Sequence, residues 1–420
     1  MKKKYIIFSI VVLILFVTLS ICFDKFKTTN TYIEDSSNNQ IKITKGISMN
    51  LEQTAGAGDY KQVTQSNWPT EGYKFNSELS RCENGSTLSW DDTKKTIVFS
   101  GDVSDKCYVY FDKILTLASY VVSQYTGTQG ENSIYYHDSA LANGAGDNSY
   151  RYAGASDSVN NFVCFGTNES PCPTDNLYRI IGVVDDKVKL IKYDYATSDL
   201  LGTDGDYCRA YSFGNGNYKG DNYANIASYY WNYKATNNAT NTWSTSLLNK
   251  TNLNTKFINS IGTEWANRIA MTTWKVGGNT ITNIISVTPS EAYQNEIVSP
   301  VSTNSTDNAT EYSAKIGLMY VTDYEFAASQ DMWTLYGYNI DSTKDYIAAI
   351  NNNWMYMGLY EWTISRRADD SDSAFSVFYD GDVFIYDVGN DRAVRPSFNL
   401  ESSVKYVSGS GSMSDPVRVN

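Results

Sequence analysis

His137 is the chain's one histidine and the first residue that could do chemistry, because an imidazole can accept a proton from a nucleophile. It lies in the stretch IYYHDSA, where Asp138 could orient the ring as in a catalytic triad. A nucleophile could be any of many serines, yet no G-x-S-x-G turn accompanies the pair. A single histidine in a Tyr-rich loop is also typical of a structural residue. The sequence favours the structural role, and we do not expect a His/Cys zinc site.

A cluster of aspartates near the C-terminus offers a second chemistry. Carboxylate oxygens in loops are the ligands that calcium takes outside a cell, so one interpretation is a calcium site. The spacing matches no EF-hand loop, and the sugar-binding triplets of calcium-dependent lectins are lacking. The other interpretation, which we favour, is solvated acids that pair with Arg366 and Arg367. The candidate calcium ligands are Asp369, Asp370 and Asp372, and the cluster also contains Asp380 and Asp382.

Aromatic side chains offer a third chemistry, that of recognition. The chain has 34 tyrosines and 9 tryptophans, and residues 202–225 are rich in Gly, Asn and Tyr. Such loops suit binding, because rigid amphipathic rings contact sugars or proteins at low entropy cost. The alternative is that tyrosine only fills space in a loop-rich fold. The candidate ligand contacts are Tyr207, Tyr211, Tyr218 and Tyr223, together with Arg366 and Asp380.

Cysteine spacing predicts two disulfides. Cys82 could pair with Cys107 across neighbouring strands, and Cys164 with Cys172 around a short loop, which leaves Cys208 over. The alternative is that all five are free, buried thiols. Because disulfides persist in oxidising compartments, the first interpretation favours export.

The N-terminus indicates the route of export. Lys2, Lys3 and Lys4 precede an apolar run over residues 5–23, which is long enough to cross a bilayer as a helix. A cleaved signal peptide would need a small-residue cleavage site, which this stretch lacks. A lipoprotein would need a small residue before Cys22, and the residue there is not small. We therefore predict a signal anchor over residues 1–27, with a cytoplasmic N-terminus and an extracellular body in the cell membrane.

The rest of the chain separates into two predicted modules behind a polar linker, residues 28–40. Residues 41–113 contain short alternating strands and the hairpin pattern SWDDTKKTIVF, which are typical of a small β-sandwich stalk. Residues 114–420 are predicted to form an α+β domain. The formal charge of −12 disfavours nucleic acid and anionic membrane as partners of this body.

Within the second module, two local patterns are clear. The stretch DNLYRIIGVVDDKVKLIKYD predicts a β-hairpin with strands over 177–184 and 188–193 around an Asp-Asp turn. Apolar residues at steps of four predict amphipathic helices over 243–269. Further on, KIGLMYV predicts a strand that leads into a short helix capped by Thr322 or Asp323.

The last sixty residues carry the most specific motif, EWTISRR, then a DG turn, then VRPSFNL. This ending resembles an uncharacterised bacterial surface-domain family, and more distantly the C-type-lectin-like core of formylglycine-generating enzymes and variable bacterial surface receptors. The resemblance implies a twisted, mostly antiparallel sheet with long loops. Those enzymes use paired cysteines, and residues 209–420 contain none, which argues against that activity. The motif residues are Trp362, Ser365, Arg366, Asp380, Gly381, Val394, Arg395, Pro396, Phe398 and Leu400.

Arg395 could belong to a functional site, or it could be a structural residue that stabilises the fold. Val394, Phe398 and Leu400 are an even number of positions apart, so in a half-buried strand they would point to the same face. Pro396 has no backbone N–H to donate to a neighbouring strand, so it marks a strand end or a bulge. We predict that Arg395 is structural and pairs with an acid or a carbonyl near the Trp362 strand.

Together these patterns predict a membrane-anchored extracellular bacterial surface protein that is not an enzyme. Its partners would be the membrane, through the N-terminal helix, and a glycan or a surface protein. We expect no cofactor beyond the calcium already considered. The alternatives are an exported hydrolase that uses a carboxylate pair on glycan or peptide, and a purely structural envelope protein.

Overall fold

The structure is a computed structural model of the chain. It describes residues 47–63, 72–94, 96–102, 104–205, 218–220, 226–233, 240–302, 309–334 and 351–420, together with the backbone of three short strands, Tyr32–Glu34, Gln40–Lys42 and Tyr207–Ala210. The chain divides into two compact units, residues 1–115 and 116–420.

The described strands of the first unit form two sheets. One has the strand order β2-β1-β8-β7, and the other has the order β4-β3-β9-β5 with β6 also paired to β9. Parallel pairing of β3 with β9 and of β1 with β8 means that the unit is not purely antiparallel. The strands are β1 (Tyr32–Glu34), β2 (Gln40–Lys42), β3 (Ile47–Glu52), β4 (Tyr60–Val63), β5 (Tyr73–Phe75), β6 (Arg81–Cys82), β7 (Thr87–Asp91), β8 (Thr96–Ser100) and β9 (Cys107–Lys113).

Side chains from both sheets share one core, which makes this unit a β-sandwich. Val109 and Phe111 point inward from β9 because residues of one parity face one side of a strand. Met49, Leu51 and Ile97 pack with them from β3 and β8. The disulfide Cys82–Cys107 joins β6 to β9, so this predicted bridge is confirmed.

The second unit contains the remaining described strands and the described helices, which are short. Its α-helices are Leu117–Ser123, Ser198–Leu201, Ile258–Ser260, Gly262–Ala266, Ile281–Ile285, Pro289–Tyr293 and Val321–Phe326. Leu248–Phe257 and Gln294–Val298 are π-helical. Single 3-10 turns cover Glu131–Ser133, Thr174–Asn176, Trp243–Thr245 and Gln330–Thr334.

The largest sheet of this unit has nine strands in the order β19-β24-β14-β13-β12-β26-β25, with β11 paired to β13 and β10 paired to β11. The other strands form separate small sheets, β15-β16-β23, β17-β18 and β20-β21-β22. The strands are β10 (Ile134–His137), β11 (Ser149–Tyr152), β12 (Phe162–Cys164), β13 (Leu177–Val184), β14 (Lys187–Lys192), β15 (Tyr207–Ala210), β16 (Ala227–Tyr230), β17 (Thr272–Lys275), β18 (Glu311–Ala314), β19 (Ile316–Gly317), β20 (Glu361–Arg366), β21 (Ser373–Val377), β22 (Val383–Asp387), β23 (Asp391–Arg392), β24 (Ser397–Asn399), β25 (Tyr406–Ser408) and β26 (Val417–Val419).

The hairpin of β13 and β14 lies at the centre of the nine-stranded sheet. Asp185 and Asp186 both adopt positive φ, 49° and 59°, as a two-residue hairpin turn requires. The strands on either side are buried, and Tyr178 and Leu190 belong to the large core of the unit. The second predicted bridge, Cys164–Cys172, is present beside β12.

The fold class predicted from the sequence is wrong: the fold is mixed α+β, with about 21% helix and 34% strand divided among many small sheets. The predicted anchor at residues 5–23 lies outside the described residues, and among those no helix is long and apolar enough to cross a membrane.

The nine-stranded sheet is mostly antiparallel, with seven antiparallel strand pairings. The Trp362 strand belongs to the small sheet β20-β21-β22, where the register shifts between Trp362 and Arg366, and it also makes an isolated parallel bridge to Ala393. Pro396 has no N–H to donate, and β24 begins only at Ser397. β12 and β26 also pair in parallel.

Candidate functional site

A pocket of about 420 Å³ opens on the second unit. Its floor is formed by Arg151 from β11, Lys189 from β14 and Asp323 from the first turn of the helix Val321–Phe326. Trp274 from β17 and Tyr320 just before that helix complete the inner wall. Three separate elements therefore bring charged groups to one place.

Strand pairing explains how Arg151 and Lys189 reach the same floor. Gly182 of β13 pairs with Arg151 on one side and with Lys189 on the other. A Cβ atom at Gly182 would lie 2.2 Å from the Tyr150 carbonyl oxygen, so only glycine lets β11 approach β13 this closely.

Asp323 is the centre of the floor. Its Oδ2 accepts a hydrogen bond from Lys189 Nζ at 2.5 Å and another from the Tyr320 backbone N–H at 2.8 Å. Its Oδ1 lies 3.5 Å from Arg151 Nη1. The ammonium of Lys189 also lies 4.4 Å from the centre of the Tyr320 ring and 5.4 Å from that of Trp274. Burial lowers the pKa of Lys189, although Asp323 opposes the shift.

Asp147 lies on the far side of Arg151. It accepts from Arg151 Nη2 at 2.7 Å, from the Tyr293 hydroxyl at 2.7 Å and from Ser149. Burial alone would raise the pKa of Asp147, but Arg151 and these hydrogen bonds hold it well below its usual range. Asp147 is therefore a firmly ionised carboxylate.

Glu296 fixes the start of the helix that carries Asp323. Its carboxylate accepts from the Thr322 N–H at 3.1 Å and from the Thr322 hydroxyl at 2.5 Å, and also from the Ser365 hydroxyl. Burial raises the pKa of Glu296, with these hydrogen bonds acting against the rise. The predicted cap at Thr322 or Asp323 is corrected, because the N-cap position is occupied by Tyr320.

The rim of the pocket carries further charge. Lys187 and Lys275 are partly exposed there, beside exposed Asp185 and Met271. Lys275 pairs with Glu311 on the neighbouring strand. Among the lining residues, four cations stand against two carboxylates, in a chain whose formal charge is −12.

His137 does not form the pair with Asp138 that a catalytic role requires. The ring is fully buried against Phe326 and Trp333, and its Nδ1 accepts the Ala145 N–H at 3.0 Å. Burial lowers the pKa of His137 to about 3. The Asp138 carboxylate instead accepts two backbone N–H groups of its own turn. The structure thus places His137 in the core.

The calcium interpretation of the acidic cluster is corrected by its contacts. Arg367 pairs with Asp369 at 2.8 Å and with Asp370 at 3.2 Å, while Asp372 accepts from the Ser373 hydroxyl. In the described part of the chain, no group of three or more His, Cys, Asp or Glu side chains could hold a metal ion.

Only some of the predicted ligand contacts lie among the residues that the structure describes. Tyr211, Tyr223 and the side chain of Tyr207 lie outside the described residues. Tyr218 donates its hydroxyl to Asp194 at 2.7 Å, and Asp380 accepts the Asp382 N–H in a turn.

Arg366 is corrected from a ligand contact to a buried structural residue. Its side chain is 1% exposed. The guanidinium donates to the Gly277, Asn241 and Ala309 carbonyls and to the Ser302 hydroxyl. These bonds hold neighbouring loops together and leave the group away from solvent.

Arg395 makes the pairing with an acid and a carbonyl near the Trp362 strand that its sequence position predicted. The guanidinium donates to both oxygens of Glu361, at 2.8 and 2.9 Å, and to the Met355 carbonyl at 2.7 Å. Glu361 immediately precedes Trp362, whose indole N–H donates to the Tyr229 carbonyl. The Pro396 carbonyl accepts the Lys192 N–H at the end of β14.

The sequence does not predict the pocket. One signal was present: Lys189 interrupts the apolar strand VKLI, and a lysine at such a position must find a buried partner. The sequence gives no indication that Asp323 is this partner, because 134 positions separate the two residues.

The chain was compared with protein family models, curated proteins and solved structures, and no match was found. The resemblance of its ending to a bacterial surface-domain family stays a prediction. The pocket's own side chains are therefore the best indication of function.

Proposed function

We propose that the second unit is a non-catalytic binding module that holds an anionic ligand, an acidic sugar of a surface glycan, in the Lys189 pocket. The excess of cations among the lining residues of an otherwise acidic chain is the observation that carries this proposal. Complementary charge steers and orients a ligand. Hydrogen bonds from a cation to a carboxylate are stronger than those between neutral groups.

The size and chemistry of the pocket suit one or two sugar units. Its volume of about 420 Å³ is within the range of ordinary small-molecule sites. Hydroxyl groups of Thr272 and Thr273 line it and can bond a hydroxyl-rich ligand. Lys187 and Lys275 lie at the partly exposed rim, where they can reach an acidic group.

The floor carboxylates favour binding over hydrolysis. A glycosidase needs one carboxylic acid that carries a proton to donate and a second carboxylate beside it. Asp147 has a lowered pKa and Asp323 accepts from both Lys189 and Tyr320. Neither of these two groups is set up as the proton-carrying acid that hydrolysis of a glycosidic bond requires.

The two disulfides support a location outside the cytoplasm, because thiols stay reduced within it. The proposed setting is therefore the cell exterior, where a surface glycan would be met. A surface protein remains the second candidate partner, and its acidic side chains would use the same cations.

Calorimetric titration of the protein with acidic and neutral oligosaccharides of equal length tests the proposal. We expect binding of the acidic series only, weakened by added salt because exposed charges are screened. Lys187→Gln should weaken it several-fold, roughly 1 kcal/mol for a rim contact.

Lys250→Gln is the matched control, since Lys250 is an exposed lysine of the same unit outside the pocket. Equal binding of neutral and acidic sugars, or equal losses in the two variants, would rule the charge-based site out. Binding of acidic peptides without binding of any sugar would indicate that the partner is a protein.

A further inference from the structure

We propose that Lys189 and Asp323 are joined by a covalent amide bond between Lys189 Nζ and the Asp323 side-chain carbon Cγ. The two groups lie in hydrogen-bond contact, with 2.5 Å between Nζ and Oδ2. They belong to β14 and to the helix Val321–Phe326, and 134 residues of chain separate them. The bond would be an intramolecular cross-link between the central sheet and that helix.

The surroundings favour a neutral amide over an ion pair. The side chains of Lys189 and Asp323 are only 7% and 4% exposed, and the rings of Tyr320 and Trp274 cover the ammonium. Holding two charges in such a place costs desolvation energy that their attraction only partly offsets. Loss of both charges removes this cost. The pocket opening gives the released water a way out.

The step balances without any further reactant. One proton passes from the Lys189 ammonium to Asp323 Oδ2, which leaves a neutral amine and a carboxylic acid. The amine nitrogen attacks Cγ and forms the C–N bond. Oδ2 then departs with that proton and a second proton from Nζ, as water. Oδ1 remains as the amide oxygen, and the third proton remains on the nitrogen.

Neighbouring groups assist this step. Arg151 Nη1 lies 3.5 Å from Oδ1, where negative charge develops during the attack. Burial lowers the pKa of Lys189, which favours the neutral, nucleophilic amine. Glu296 holds Thr322 by two hydrogen bonds and so fixes the helix start that presents Asp323. Reacting groups held in this way need little further ordering to reach each other.

The cross-link does not depend on the proposed ligand. Amide formation removes one cation and one carboxylate together, so the excess of positive charge around the pocket is unchanged. The ligand-binding proposal and the cross-link proposal can therefore be disproved separately.

Intact-mass spectrometry of the reduced, denatured protein tests the cross-link. We expect a mass lower than that of the sequence by one water molecule. Proteolysis and fragmentation should then yield a branched peptide that joins the segment of Lys189 to that of Asp323. Lys275 and Glu311 form an exposed ion pair and serve as the internal control, because their peptides should be recovered unlinked.

Variants separate the possible outcomes. Lys189→Met and Asp323→Ala should restore the full mass. Asp323→Asn should lose ammonia in place of water and converge on the same product as the natural chain. If the folded natural protein has its full mass and yields separate peptides, the proposal is overturned, whether or not the variants fold. A water loss located at any other pair of residues also overturns it.

Discussion

At the scale of single residues, Arg395 and Glu361 form the most completely enclosed ion pair described in the second unit, at 1% and 2% side-chain exposure. Burial raises the pKa of Glu361, and Arg395 acts against the rise. Arg395→Ala would leave this carboxylate buried without its cation, which costs about 3–5 kcal/mol. Urea unfolding of the variant and the natural protein measures the loss.

Arg367→Ala is the control for that substitution, since Arg367 pairs with partly exposed Asp369 and Asp370, and such pairs contribute at most about 1 kcal/mol. An Arg395→Ala protein that keeps its stability yet loses ligand binding would show that Arg395 belongs to a site.

His137 gives the protein a specific dependence on pH. Its pKa is about 3 in the folded chain and about 6.5 when unfolded, so the unfolded state binds the extra proton as pH falls. Stability from the neutral ring is complete above pH 6.5 and decreases toward pH 3. At pH 5 the loss relative to pH well above 6.5 is about 2 kcal/mol, because the slope approaches 1.36 kcal/mol per pH unit below pH 6.5.

His137→Asn keeps an acceptor for the Ala145 N–H and removes the titration. The free energy of unfolding should then fall less steeply with acid than in the natural protein. Since every other titrating group is common to both, parallel curves for the two proteins would contradict the assignment.

At the scale of elements, the sequence predicted what is local. The hairpin of β13 and β14 follows from one contiguous pattern, and its observed strands lie within a residue of those predicted. The helix signal over 243–269 corresponds to Leu248–Phe257 and the short helices after it, where Leu253, Phe257 and Trp265 are buried. Spacing alone could not indicate that the first of these is π-helical.

The pocket depends on contacts that no local pattern encodes. Arg151 and Lys189 meet because β11 and β14 flank the same strand at Gly182, and Asp323 arrives from a helix far along the chain. The candidate contacts visible in the sequence are loop acids and loop tyrosines, since recognition residues are most visible in loops. Here the chemistry lies in buried charges, whose partners only the tertiary structure reveals.

At the scale of the whole molecule, the second unit has a hydrophobic core of its own. Its large cluster contains buried side chains from Leu117 to Val419, including Trp231, Trp354 and Trp362. The disulfide Cys164–Cys172 also lies entirely within it. A segment with a complete core is expected to fold without the rest of the chain.

We therefore predict that residues 116–420, produced alone, fold cooperatively. Their thermal transition should coincide with that of the same unit in the full chain, and near-ultraviolet circular dichroism should report packed tryptophans. Because Arg151, Lys189 and Asp323 all lie in this segment, the loss of one water should persist in it if the cross-link forms. A segment without a cooperative transition would mean that residues 1–115 supply contacts on which this core depends. Residues 1–115 produced alone provide the matched control, since they contain the separate sandwich core and none of the pocket.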